Sequence, residues 1–393
     1  MRLGFLLTNP KHHAEMMLPV AAELRRRGHQ TCVVSLAELR GFSTPPGEQV
    51  AAIPWQLRKS PQAGADFGVD GVGPKGALRK LAQRAALAPL LPRLGWLLRG
   101  CQAVLVPNDA AYPYRDLVNA LRAWRKPVAL LQEGIRFPLP TERARADGRA
   151  LIYGGSGAAA VCAWGEGSAE HFRRVATGGT RVYVTGNPRF DAIDVARWRQ
   201  QGLALMQQLH LGDGPFLYMS NPVDDQGFCS PAEKLALFER FVERAGEELV
   251  RRAAPLVVKL HPRESAAAFR KAAARLPLPV YVAEHDPLFA WLAVARGAVV
   301  LASTVGLEAL RFGVPLGVLP LPGHGHVFEY ASGGAAVALR ADALEAGVAE
   351  IFDGAAARAA AGEALVARHL GQPFGAAEQV ASVLEQLAAG ARS

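Results

Sequence analysis

Short apolar runs rich in β-branched residues alternate along this chain with helix-forming stretches, an alternation that points to a doubly wound α/β architecture. The runs at 2–7, 30–35, 103–107, 127–131, 159–163 and 181–185 predict the strands of a first sheet. Those at 216–219, 256–260, 280–283, 298–301 and 316–319 predict a second. Helices fill the gaps; the first, over 14–27, stops at Gly28, a residue suited to the left-handed turn that ends a helix. A polar helix near 194–209 and the break Gly212-Asp213-Gly214-Pro215 separate the halves. With 393 residues, each half is long enough to bury its own core. The expected domains are therefore 1–205 and 206–393, the second closing in Ala-rich helices. A Gly- and Pro-rich segment over 60–76 has no periodicity and reads as a loop.

Composition narrows the function classes. An apolar fraction of 50% and a charged fraction of 20% describe a globular chain rather than a disordered one. Cysteines 32, 101, 162 and 229 lie far apart, which suits buried thiols in a reducing compartment better than a metal or redox pair. The apolar start is too short for a signal peptide, and no run of 18 residues stays apolar, so the expected location is the cytoplasm. The net charge of +9 is partly local: Arg79, Lys80, Arg84, Arg93 and Arg99 interleave with Leu, Ala and Trp96 over 77–100. Such a helix fits the surface of an anionic membrane, where the protein would sit peripherally, or an anionic acceptor, and equally an ordinary solvated face. No nucleic-acid-binding module is visible, so nucleic acid is not an expected partner.

Two turns carry most of the chemistry. Val257-Val258-Lys259-Leu260-His261-Pro262-Arg263 and Ser303-Thr304-Val305-Gly306-Leu307-Glu308-Ala309-Leu310 each follow a buried strand, and the second opens into a helix. Open parallel sheets place ligands beyond the carboxyl ends of their strands, where loops and helix N-termini offer N–H groups to anions. Both turns thus suit a phosphate-bearing ligand. The His261 imidazole can donate to phosphate and support a leaving group, though capping a helix or filling a core also fits it. Lys259, one residue earlier, points elsewhere. Glu308 sits in the first turns of its helix, where it also favours the helix dipole.

These turns, with Gly313-Val314-Pro315 and with Gln132-Glu133-Gly134 after a strand, resemble a group of GT-B glycosyltransferases. The group holds the capsule-polysaccharide Kdo transferases, the bacterial sialyltransferases and polysialyltransferases, and the CDP-glycerol polymerases; the likeness runs over about 127–320. It implies two Rossmann-like domains facing a cleft, with the acceptor on the N-terminal side and the donor on the C-terminal side. It implies that His261, Pro262, Ser303 and Thr304 contact the donor phosphate or nucleotide and that Glu308 holds ribose hydroxyls. Glu133 would be the general base, since Gln132 departs from the group's doubly acidic turn. His261 would share in catalysis through the leaving group.

Further positions follow the same resemblance. Ser220 and Asn221, after the first strand of the second half, are placed to donate to phosphate, while Asp224 and Asp225 read as surface turn residues. In Val184-Thr185-Gly186-Asn187-Pro188-Arg189-Phe190-Asp191, a similar Gly-Asn-Pro turn closes the N-terminal domain of relatives. Arg189 would reach a phosphate from there, with Gly186 and Asn187, or the turn would pin the hinge. His324 and His326 have no third ligand at a telling spacing, so a metal is not expected, and one of them, His326, is assigned to the donor pocket. His12 and His13, on the first strand-to-helix turn, face the acceptor side. The implied activity is inverting, metal-independent glycosyl transfer from a nucleotide-activated sugar, CMP-Kdo or CMP-sialic acid in type, to a glycan or glycolipid acceptor, with no other cofactor. A UDP-sugar transferase or UDP-GlcNAc 2-epimerase-like enzyme is the alternative, and a non-catalytic sugar-nucleotide-binding protein a second.

Overall fold

The structure, a computed structural model, describes residues 1–40, 50–53, 74–110, 113–135, 153–191, 193–212, 214–261, 264–275, 278–371 and 375–390. The loop expected over 60–76 lies outside these up to residue 73, as does Pro262. The described residues divide into two compact units, one drawn from Met1–Arg136, Arg145–Ile193 and Arg368–Ser393, the other from Asp194–Ala367.

The first unit is built on seven parallel strands: β1 (Arg2–Leu7), β2 (Gln30–Ser35), β3 (Val50–Ala52), β4 (Ala103–Val106), β5 (Val128–Leu131), β6 (Ala160–Ala163) and β7 (Arg181–Val184). Their order is β3-β2-β1-β4-β5-β6-β7. Strands β4, β5 and β6 are buried along their full length, which is why they read as unbroken apolar runs. Among them pass α1 (His12–Arg26), α2 (Pro74–Leu87), α3 (Leu91–Leu98), α4 (Tyr114–Ala123) and α5 (Glu166–Val175). Gly4 lets α3 lie close on the sheet, since a Cβ there would stand 2.9 Å from Leu98 Cδ2.

The second unit opens with α6 (Val195–Gln208) and holds six parallel strands: β8 (Phe216–Met219), β9 (Leu256–Lys259), β10 (Val280–Ala283), β11 (Gly297–Val300), β12 (Leu316–Val318) and β13 (Val337–Ala338). Their order is β10-β9-β8-β11-β12-β13. Helices α7 (Pro231–Arg251), α8 (Ala266–Ala273), α9 (Leu288–Leu292), α10 (Val305–Arg311) and α11 (Leu344–Asp353) accompany them. Ser230 and Glu233 form a reciprocal capping box at the start of α7, which fixes where that helix begins. Its apolar face then sets Phe238 and Phe241 against Tyr218 and Phe216 of β8.

Two features differ from the sequence-based expectation. The edge strands β3 and β13 were not anticipated, being three and two residues long with no alternation to reveal them. The Ala-rich tail does not close the second unit. Helix α12 (Ala355–Leu370) runs to the boundary, and α13 (Ala376–Gly390) packs on α1 and on β4, β5 and β6. Asp191 holds the start of α13, accepting hydrogen bonds from the backbone N–H groups of Ala376 and Ala377 at 3.0 and 2.6 Å. Arg27 and His29, just past α1, bind Glu385 on the same helix at 2.8 and 2.7 Å. Asp191→Ala removes the cap and is expected to cost about 1–2 kcal/mol. Thermal denaturation should show the midpoint a few degrees lower, and limited proteolysis should cleave within 376–390 sooner than in the parent.

Candidate functional site

In each sheet the strand order reverses once, between β1 and β4 in the first and between β8 and β11 in the second. Helices that follow two such strands leave on opposite faces, so a crevice opens at their carboxyl ends. A polar cluster stands at each of these places.

In the first unit the cluster centres on Glu133, just beyond β5. Its side chain is 24% exposed. One carboxylate oxygen accepts from His13 Nε2 at 2.9 Å, and the other accepts from Asn108 Nδ2 beyond β4. Asn108 is itself oriented, because its Oδ1 accepts from the Ala110 N–H at 2.8 Å. The Glu133 backbone is fixed as well: its N–H donates to Tyr153 Oη at 2.9 Å, and its carbonyl accepts from His12 Nε2 at 2.8 Å.

His13 is 3% exposed and has no freedom of tautomer. The backbone N–H groups of Thr8 and Asn9 donate to its Nδ1 at 3.2 and 3.0 Å, with the Tyr114 hydroxyl also at 3.2 Å. A backbone N–H only donates, so Nδ1 is the acceptor nitrogen and the ring proton sits on Nε2, aimed at Glu133. His13 therefore has no vacant nitrogen for a substrate; it positions the carboxylate. The Thr8 hydroxyl oxygen beside it is buried and has no hydrogen-bond partner among the described residues.

These contacts set the protonation states. Burial alone would push the Glu133 carboxyl up, but its interactions with His13 first, then with His12 and Asn108, outweigh it and hold the group below the ordinary carboxylate range. Burial, aided by the neighbouring His13 and then by the Arg189 guanidinium, lowers His12 from the usual 6.5 to about 4 against the pull of Glu133. At neutral pH the site thus presents an ionised carboxylate beside an uncharged imidazole.

Gln132 is fully buried, and its amide is saturated. Its Nε2 donates to the Gly134 carbonyl and to Ser168 Oγ, both at 2.8 Å, and its Oε1 accepts from the Trp164 N–H at 2.8 Å. A carboxylate cannot donate to those acceptors, which accounts for an amide at this position.

In the second unit Ser220 and Asn221 follow β8, His261 follows β9, and Ser303 and Thr304 follow β11. The Ser220 hydroxyl and the His261 backbone N–H do not stand open. Both donate to Glu264, at 2.7 and 2.9 Å, and Lys234 lies 3.2 Å from the same carboxylate. Lys234 also pairs with Asp224 at 2.6 Å, so Asp224 is half of a shielded ion pair rather than a surface turn residue. Burial lowers the Lys234 ammonium, yet the two carboxylates overcome this and raise it. Asn221 bridges the reversal point, its Nδ2 donating to the Ala302 carbonyl at 2.6 Å, while its buried Oδ1 has no partner among the described residues. Lys259 turns aside as expected, donating to the carbonyls of Leu260, Ala283 and Glu284.

The Ser303 turn is braced by Tyr330. That hydroxyl donates to the Ser303 carbonyl at 2.6 Å and accepts from the Leu307 N–H at 3.1 Å. Gly306 makes room for it, because a Cβ there would meet the Tyr330 ring at 2.5 Å. Ser303 Oγ accepts from the Val305 N–H at 3.3 Å, Thr304 precedes α10, and Glu308 is buried within it.

The remaining expected site residues have partners of their own. Arg189 belongs to the first unit, where its Nε pairs with Glu15 at 2.8 Å. Asn187 caps its own turn by accepting from the Arg189 N–H at 3.1 Å, and Gly186 takes the left-handed conformation, φ 80°, that starts it. The turn therefore serves a structural purpose, reinforced by Asp191. His326 donates to the Leu339 carbonyl at 3.2 Å, and His324 lies edge-on to Phe228. Among the described residues no group of three His, Cys, Asp or Glu side chains is arranged to hold a metal. A cleft of about 400 Å³ between α1 and the start of α13, lined by Glu23, Arg26, Asp191 and Glu378 among others, includes none of the expected site residues.

No family model matches this chain, and no curated protein matches its sequence. Solved structures do share its fold. The UDP-GlcNAc 2-epimerase of Neisseria meningitidis, solved bound to UDP-GlcNAc, superposes with a TM-score of 0.61 at 14% identity, covering 98% of this chain and 99% of that one. A UDP-forming α,α-trehalose-phosphate synthase from Burkholderia vietnamiensis gives 0.63 at 14% identity, over 100% and 98%. The spinosyn rhamnosyltransferase SpnG gives 0.54 at 18% identity, over 98% and 100%. The chain thus has the fold of two Rossmann-like parallel sheets, GT-B in type, common to glycosyltransferases and epimerases.

Two outcomes test this account of the first cluster. A histidine whose folded pKa is depressed binds a proton in the unfolded chain first, so stability is lost as pH falls from about 6.5 to about 4, by at most about 3 kcal/mol. Glu133, also depressed, loses its contribution only below the ordinary carboxylate value, at lower pH. Urea titrations at pH 7 and pH 5 should show a smaller pH difference for His12→Gln than for the parent. Gln132→Glu should lower stability by about 1–3 kcal/mol in the same assay, because it leaves buried acceptors without their donor.

Proposed function

We propose that this chain is a glycosyltransferase that binds a nucleotide-activated sugar on its second unit and deprotonates the acceptor hydroxyl with Glu133. The observation that carries the reading is the setting of Glu133. It is a partly exposed, ionised carboxylate at the reversal point of a parallel sheet, with one oxygen held by His13 and the other by Asn108. Each oxygen keeps a lone pair for a hydroxyl proton, and the carboxylate cannot rotate away. As the acceptor oxygen attacks the anomeric carbon, the bond to the nucleotide breaks and the proton passes to Glu133, inverting the centre. A positioned base of this kind contributes about 10²- to 10⁴-fold.

Charge developing on the departing phosphate would be met by the His261 imidazole and by the N–H groups and hydroxyls of the Ser303-Thr304 turn, in a route that uses no metal. Pro262, next to His261 in sequence, would contribute with it. Glu308 would hold the ribose. Ser220 and Asn221 act here as braces of the turn beneath the donor, since their donor groups are already engaged. The likeness of the Lys259-Leu260-His261 and Ser303-Thr304 turns to the capsule group favours a CMP-linked sugar of the Kdo or sialic acid type, used on a surface polysaccharide or glycolipid. A UDP-sugar enzyme is the second reading, favoured by the full-length superposition on proteins named for UDP-GlcNAc and UDP-forming reactions. Of these, an epimerase needs no acceptor and would convert UDP-GlcNAc alone.

Thermal shifts with CMP, CDP, UDP and GDP, each near 100 times its dissociation constant, separate the readings, because such a ligand adds about 2.7 kcal/mol of stability. Stabilisation by CMP or CDP alone supports the capsule-type donor; stabilisation by UDP alone transfers the assignment to UDP-sugars. Glu133→Gln should keep the nucleotide shift and lose about 10²- to 10⁴-fold in turnover. Unchanged turnover removes Glu133 as the base, and the lack of any shift removes the nucleotide-sugar reading itself.

A further inference from the structure

We propose that the face formed by α2, α3 and the end of α4 docks this protein on an anionic lipid bilayer. The charge of the sequence is concentrated in the stretch that holds these helices: residues 74–126 carry ten Lys and Arg against two Asp, a net of +8 out of +9 for all 393 residues. Neither aspartate offsets this at the surface by standing open. Asp109 is buried and accepts from the Gly154 and Ser156 N–H groups, and Asp116 pairs with Arg84.

These helices also expose apolar side chains that a solvated helix would bury. Leu78 is 70% exposed, Leu81 67% and Trp96 61%, and Trp124 follows at 36%. The two tryptophans belong to one surface, because the Trp124 ring lies against Gly95 of α3. Exposed Arg93 and Arg99 flank Trp96, with the Arg99 guanidinium 5.3 Å from the Trp96 ring centre, and Arg125 adjoins Trp124. Arg84 and Asp116 link the end of α2 to the start of α4.

Tryptophan beside arginine suits the headgroup layer, where the ring enters the acyl boundary and the guanidinium stays with phosphate. Leucines with a basic patch supply both signals that stable peripheral binding requires, apolar insertion and attraction to anionic lipid. A second copy of the chain is a poor occupant, since two faces this basic repel each other. The surface does not depend on the catalytic reading, so Glu133→Gln should bind vesicles as the parent does.

Co-sedimentation of the full chain with vesicles tests the proposal, using phosphatidylcholine alone and phosphatidylcholine with about one-third phosphatidylglycerol. Binding is expected to the anionic vesicles, with little to the neutral ones, and release at about 1 M salt. Arg93→Glu with Arg99→Glu should weaken it at least tenfold, at about fivefold per neutralised charge. Trp96→Ser with Leu81→Ser should weaken it as much, with an unchanged thermal midpoint and nucleotide shift, because these side chains are exposed. Equal partition to both vesicle types overturns the proposal. So does the lack of partition, whether the face then proves to hold a second copy, seen as a dimer that Trp96→Ser dissolves, or a soluble polyanion.

Discussion

Strands that all run one way end on one edge, and this constraint shapes both units. In a parallel sheet every connection must travel back past the sheet, so the carboxyl ends collect turns and helix starts while the amino ends collect helix stops. Where the strand order reverses, neighbouring connections part to opposite faces and the edge between them is left open. His12, His13 and Asn108 come from the two strands that flank the reversal in the first sheet; Asn221 and the Ser303 turn come from those in the second. The polar groups converge because the backbone direction leaves them nowhere else to emerge.

Each cluster has a carboxylate at its centre, and the two are treated differently. Glu264 is enclosed, its side chain 3% exposed, and it is matched by the half-buried Lys234 ammonium and by two hydrogen-bond donors. Its charge is spent inside the protein, holding the strand-end turns of β8 and β9 together. Among the described residues Glu133 has donors but no Lys or Arg paired with it, and it keeps contact with solvent. One carboxylate is a fastening, the other a charge held available at the surface of its unit.

Eleven of the thirteen strands among the described residues were legible from their apolar runs, because strands covered on both faces carry little polar interruption. The strand-end placement of Glu133, His261 and Ser303 was legible for a related reason: each stands just after such a run. The partners that set their chemistry were not. His13 and Glu133 are 120 residues apart, Ser220 and Glu264 44, and Ser303 and Tyr330 27, and no local spacing encodes those meetings. Asn108 was open to the strand-end argument already applied to Glu133, since it follows β4. The pairing of Arg189 with Glu15 on α1 was not legible either, since the two lie on separate elements.

Helix α13 also bears on how the chain comes to be folded. Its apolar side covers part of the sheet face at β4, β5 and β6, yet it is made after the whole second unit. At about 5–20 residues per second, synthesis of 194–367 takes on the order of ten seconds or more, during which that patch of the first sheet has no cover of its own. The second unit, whose segments are nearly contiguous, is complete earlier. The part of the chain that begins first thus finishes last, and the patch awaiting α13 is the surface a chaperone would have reason to shield in a nascent chain.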